Sequence, residues 1–170
     1  EGGPRHFIAG PPLGAAIDTE ADGIESAAAD GDGRDDDGVV FGEININANV
    51  AAINIELVGA SEGFVDAWID FDRNGQWEPS EKILDSSLIE QASQTFNYTL
   101  PSGLVTGDTF ARVRLSSAGG LDPTGLAADG EVEDYRVTIV NAPLAEDIVI
   151  APVHSVLESA GDSYLEYGTD

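Results

Sequence analysis

The chain has 170 residues, enough for one domain with a real core or one domain with an extension. Seven basic residues stand against 32 acidic ones, a formal net charge of −25, which argues against nucleic acid or an anionic membrane surface as partner, because phosphate binding needs the opposite sign. Cysteine is absent, which removes disulfides and thiolate metal sites.

So many acids repel one another and destabilise a compact state unless cations neutralise them. Calcium-rich surroundings would resolve that tension, and a halophilic source is the other explanation. Methionine is absent even at position 1, so the chain is expected to begin after a processing step or to have been cut from something longer. No stretch reads as a signal peptide, and no apolar run approaches the roughly 18 residues of a membrane span.

Residues 1–29 are rich in Gly, Pro and Ala and read as extended loop. Residues 30–38, D-G-D-G-R-D-D-D-G, follow as an acid cluster. Asp30, Asp32, Asp35, Asp36 and Asp37 either form a solvated loop or complete a cation site, for which the glycines would let the backbone wrap the ion. From Val39 onward apolar residues alternate with polar ones: Ile44 and Ile46, Ile53 to Leu57, Phe96 to Leu100, Ala111 to Leu115, Tyr135 to Ile139. Period two predicts strands that are wet on one side. Many short strands separated by turn signals at Gly59, Pro101, Gly119 and Pro123 predict an all-β antiparallel sandwich with long acidic loops.

Residues 70–81 read D-F-D-R-N-G-Q-W-E-P-S-E, the spacing of an EF-hand-like calcium loop. Asp70, Asp72 and Asn74 occupy positions 1, 3 and 5, and Gly75 takes the sharp turn at position 6. Gln76 offers its backbone carbonyl, Glu78 acts directly or through water, and Glu81 is the bidentate carboxylate. The preceding run, residues 63–69, is aromatic and β-branched and reads as a strand, so the helix–loop–helix context is missing. Only residues 82–91 could hold a short helix. The ion is therefore read as a structural staple.

Arg112, Arg114 and Arg136 lie on predicted strands opposite the apolar side. A surface ion-pair ladder is the preferred reading, with arginines orienting cation-binding carboxylates as the alternative. Asn97-Tyr98-Thr99 is a glycosylation-type sequon.

The string Gly130-Glu131-Val132-Glu133-Asp134-Tyr135 resembles the GEVED domain, a module of large secreted bacterial surface proteins. Gly3-Pro4-Arg5-His6, Asp18-Thr19-Glu20-Ala21-Asp22-Gly23, Val65 to Asp72 with Asn74-Gly75, and Ala111 to Ser116 are similar to its other segments, so the likeness covers about residues 2–140. It implies a calcium-associated extracellular β module without known catalysis. In the family a D-S-Y-G-T-like stretch precedes the G-x-R-H segment. Here Gly161-Asp162-Ser163-Tyr164 and Tyr167-Gly168-Thr169-Asp170 sit at the far end. Joining residue 170 of one copy to residue 1 of another restores the order.

Two units are expected, residues 1–141 and a linker with an extending strand over 142–170. Ile148 and Ile150 face one way, Val149 and Val153 the other, so this strand wants burial on both sides. Tyr164 and Tyr167 would then contact the next copy. The leading expectation is a structural subunit or repeat of a calcium-stabilised extracellular filament, adhesin stalk or matrix protein on a bacterial surface, joined head-to-tail to other copies of itself. The alternative is a carbohydrate- or ligand-binding module with Trp68 or Trp77 as stacking platform. An enzyme is not expected, since no nucleophile motif is present and His6 and His154 lie in poorly patterned stretches.

Overall fold

The period-two stretches fold as strands that pair into sheets, except that Ile46 and Asn47 form a turn after the two-residue strand Ile44–Asn45. The computed structural model describes residues 3–7, 10–15, 37–59 and 62–144. Residues 30–36 and the whole tail, with Ile148, Val149, Ile150, Val153, Tyr164 and Tyr167, lie outside the described residues. The strands are β1 (Pro4–His6), β2 (Val39–Phe41), β3 (Ile44–Asn45), β4 (Val50–Glu56), β5 (Gly63–Ile69), β6 (Lys82–Ile89), β7 (Ser93–Thr99), β8 (Gly107–Ser116), β9 (Gly125–Ala127) and β10 (Glu131–Val140). A short 3-10 turn, Pro79–Glu81, leads into β6. No described helix is long and apolar enough to cross a membrane.

A five-stranded sheet runs β3-β10-β8-β5-β6, a three-stranded sheet runs β2-β4-β7, and β1 pairs with β9. The first two share one core. Val65, Ala67, Ile69, Ala111, Val113, Leu115, Val137 and Ile139 from the larger sheet join Ile53, Ile55 and Tyr98 from the smaller. Leu13 is fully buried in that core and bridges to Leu57, so part of the expected N-terminal loop is structural. The stretch after the 70–81 loop, the one flank that could have held a short helix, is the strand β6, hydrogen-bonded to β5. Ile83, Leu84 and Ile89 pack into or against the core from it, and a helix would have left the edge of β5 unpaired.

The expectation of strands wet on one face fails for β8, which lies beside β5 in the sheet. The second face of both strands is also covered, and what it buries is charge. Arg112 and Arg114 are each 1% exposed and Asp66 is 0% exposed. β1, β9 and residues 121–125 lie over them. Arg112 makes a fork with Asp134, Nε to Oδ1 at 2.7 Å and Nη2 to Oδ2 at 2.5 Å, and also donates to the Pro123 carbonyl. Cross-strand register places Asp134 directly opposite Arg112. Asp66 takes Lys82 Nζ at 2.8 Å and the backbone N–H groups of Ser86 and Leu121. Of the predicted ladder only Arg136, paired with Asp108, is at the surface.

Among the described residues no carboxylate pairs with Arg114. Its Nε donates to His6 Nε2 at 3.0 Å, Nη1 to the carbonyls of Asp122 and Thr124, and Nη2 to those of Gly125 and Arg5. Five N–H donors thus find five acceptors. Burial, then the charge of Arg112, holds the Arg114 pKa down at about 10, so it stays charged at neutral pH. His6 donates from Nδ1 to the Asp129 carbonyl at 2.8 Å, which leaves Nε2 as the acceptor for Arg114. Its ring is neutral, with burial and Arg114 depressing its pKa to about 4.

Breaking a buried pair leaves one charge without a partner, whereas an exposed pair contributes little. Arg112→Met should therefore cost about 3–5 kcal/mol of stability, and Arg136→Met less than about 1 kcal/mol. Equal shifts in urea midpoint would contradict this. His6 adds a pH signature. Its folded pKa of about 4 lies below the ordinary 6.5, so the unfolded chain takes the proton first. The stability His6 contributes is complete above 6.5 and is lost as pH falls toward 4. The gap in melting temperature between the parent chain and His6→Gln should narrow over that window, and a constant gap would refute the assignment.

Candidate metal centre

β5 delivers Asp70 to the edge of the core, where it is 4% exposed. The strand stops there because the backbone turns: Arg73 and Gly75 have φ of 63° and 75°, a region open to glycine and costly for other residues. The arginine is held there by its Nη1 bond to the Thr106 carbonyl at 3.0 Å. Asp70 is fixed from below, its N–H on the Phe110 carbonyl and its carbonyl on Thr109 Oγ1. The 3-10 turn then returns Glu81, also 4% exposed, to Asp70.

Ligand atoms of Asp70, Asp72 and Glu81 come within 4.8 Å of one another and could hold a metal ion. Backbone N–H groups orient them. Asn74 and Gly75 donate to the two Asp70 oxygens at 3.1 and 3.0 Å. Phe71 and Glu78 donate to the two Glu81 oxygens at 2.7 and 3.1 Å. Among the described residues no lysine or arginine pairs with these three carboxylates. Burial pushes Glu81 up to about 7, while the hydrogen bond from the Asn74 side chain, followed by Glu81, lowers Glu78. An anion raised by burial beside other anions is what a cation would relieve.

The remaining predicted ligands sit around this triad with different roles. Glu78 places Oε1 on the Asn74 amide at 2.8 Å, and its Oε2 is buried without a hydrogen-bond partner. Asn74 turns its NH2 toward Asp72 and Glu78, and its carbonyl accepts from Gln76 N–H at 2.7 Å. Coordination through Asn74 oxygen needs that amide to rotate. A cleft of about 230 Å³ lined by Phe71, Asp72, Glu78, Glu81, Pro101 and Leu104 opens beside the triad and leaves room for water ligands. Trp77 does not stand free as a platform: its ring stacks on Arg112 at 5.3 Å. Trp68 is buried under Lys82 at 5.1 Å.

Asp37 is not brought to this centre. Its Oδ1 takes Ala15 N–H at 2.8 Å, and its own N–H points at Glu133. Glu133 Oε1 also takes Gly38 N–H at 3.1 Å, its Oε2 takes the Tyr135 hydroxyl, and Glu131 takes Leu13 N–H at 2.6 Å. Sequence reasoning missed Asp66, Thr109 and His6 as supports. Two arginines spaced i, i+2 on one strand mark a charged face, and that spacing is the same whether the face is buried or wet.

Residues 64–138 match the model of the GEVED domain family. The matched part runs from β5 through most of β10. No curated protein and no solved structure matches the chain.

Terbium, a hard trivalent stand-in for oxygen-ligated cations, should show tryptophan-sensitised emission on titration into the chain, because Trp77 sits inside the loop. Asp70→Asn and Glu81→Gln should each abolish most of it. Emission unaltered in both variants would place the ion elsewhere.

Proposed function

We propose that the chain is a calcium-stapled, non-catalytic β-sandwich module of an extracellular filament, adhesin stalk or matrix protein at a bacterial surface. In this reading copies join head-to-tail through the C-terminal segment. The observation that supports it is the convergence of Asp70, Asp72 and Glu81, with no basic side chain paired to them among the described residues. The donors are all hard oxygens, Glu78 lines the cleft beside them, and the cleft admits water. Calcium takes six to eight such ligands in flexible geometry, whereas magnesium demands a tight octahedron.

The ion would tie the end of β5 to the start of β6 and so hold the 70–81 loop on the sheet. A loop entered from a strand and anchored by Thr109 and Phe110 has no helix pair to open, which fits a staple rather than a sensor. The same need for countercharge would be met by a second cation held by Asp30, Asp32, Asp35, Asp36 and Asp37. Affinity is expected on the order of 10⁻⁴ to 10⁻³ M at the first site, the extracellular class.

The test is thermal unfolding in excess chelator. Melting temperature should fall, calcium should restore it, and equimolar magnesium should not, since only an ion bound to the folded state stabilises it. An unchanged melting temperature would remove the staple.

A further inference from the structure

Among the described residues the two main sheets are open along the side where β2 and β10 face each other. β3 pairs only with Ile139 and Val140 of β10. Residues 136–138 therefore meet no described strand on that edge. Across the opening, β2 pairs with β4 alone among the described strands. Between the two edges lies a groove of about 340 Å³, lined among others by Val40, Phe41, Ile44, Arg136, Val137 and Thr138. Val40 is 62% exposed there. A strand edge beside apolar side chains is a template for one more strand, with ladder bonds supplying affinity and alternate side chains supplying fit.

The geometry points to this groove as the acceptor for residues 148–153 of a second copy of the chain, paired with β10 at 136–138. The inference rests on the head-to-tail reading and names its socket. Three observations select the occupant. Residues 145–170 follow the last described residue, Leu144, and include one run, Ile148-Val149-Ile150, that is apolar on both faces. Such a run suits a slot with Phe41 and Ile44 on its inner side. The chain leaves β10 after Val140, the last residue paired with β3. Asn45 and Asn47 both donate to the Ala142 carbonyl at 3.0 Å, and Asn47 also holds Asn141. These bonds run the chain along the turn after β3, so β3 stands between the exit and residues 136–138. A return to its own edge would have to reverse direction and pass β3 within a few residues, one of them Pro143. A second copy meets no such obstacle, and the contact, being head-to-tail, repeats without closing.

The absence of cysteine makes the test direct. Val40→Cys and Val149→Cys are placed in one full-length chain, oxidised, and run on a denaturing gel without reductant, with each single variant as control. The expected result is a ladder beyond the dimer, collapsed by reductant and absent from both single variants. A fast-running cross-linked monomer would overturn the proposal, because the tail would then occupy its own edge. Failure to cross-link while light scattering still shows polymers would overturn the socket and leave the head-to-tail reading standing. Failure to cross-link in a chain that stays monomeric would overturn both.

Discussion

A guanidinium does not shed its charge inside a protein, so burying Arg114 obliges the chain to bring an acceptor to every N–H. The consequences reach far in sequence. The acceptors are carbonyls at positions 5, 122, 124 and 125 and the ring of His6. These groups belong to β1, β9 and the turn before β9. That layer therefore rests on hydrogen bonds to one side chain where an ordinary sheet would rest on apolar packing. Arg112 does the same beside it with a carboxylate and the Pro123 carbonyl, under the Trp77 ring. Trp77 also belongs to the 70–81 loop, so the charged layer and the candidate metal centre share a side chain.

The GEVED string can be read residue by residue in these terms. Gly130 has φ of 93°, and a Cβ there would meet the Leu115 carbonyl oxygen at 1.9 Å, so only glycine starts β10 in register with β8. Glu131 and Glu133 lie on the core face at the end of the sheet and receive the backbone N–H groups of Leu13, Asp37 and Gly38. Burial pushes Glu133 up to about 7, and its hydrogen bonds partly offset that. Val132 and Asp134 point to the other face, Asp134 into the fork of Arg112. Alternation along one strand thus assigns the two glutamates to the N-terminal segment and the aspartate to the buried arginine layer. Tyr135 completes the set, its hydroxyl on Glu133 and its ring edge-on to Phe41 at 5.6 Å.

Much of this was legible. Strict alternation over residues 53–57, 96–100, 111–115 and 135–139 reports strands whatever their partners. The 70–81 spacing marked Asp70, Asp72 and Glu81, which do converge. β6 was harder, because Lys82-Ile83-Leu84-Asp85 satisfies a helical turn as well as a strand, and the unpaired edge of β5 decides. The burial of Arg112 and Arg114 was hidden for a different reason. A charged residue on the polar face of a strand looks the same whether that face meets water or a satisfied second layer. The covering layer is built from short strands, Pro4–His6 and Gly125–Ala127, too brief to carry a period.

The claim on which the rest depends is that two guanidiniums are sealed on the back of the five-stranded sheet. Side-chain nitrogen–proton NMR of arginine reads it directly. Arg112 and Arg114 should give two Nε–H signals shifted from the random-coil position and exchanging with solvent far more slowly than those of Arg73 and Arg136. If all arginine Nε–H groups exchange at one solvent-limited rate, the layer is open to water and the account fails.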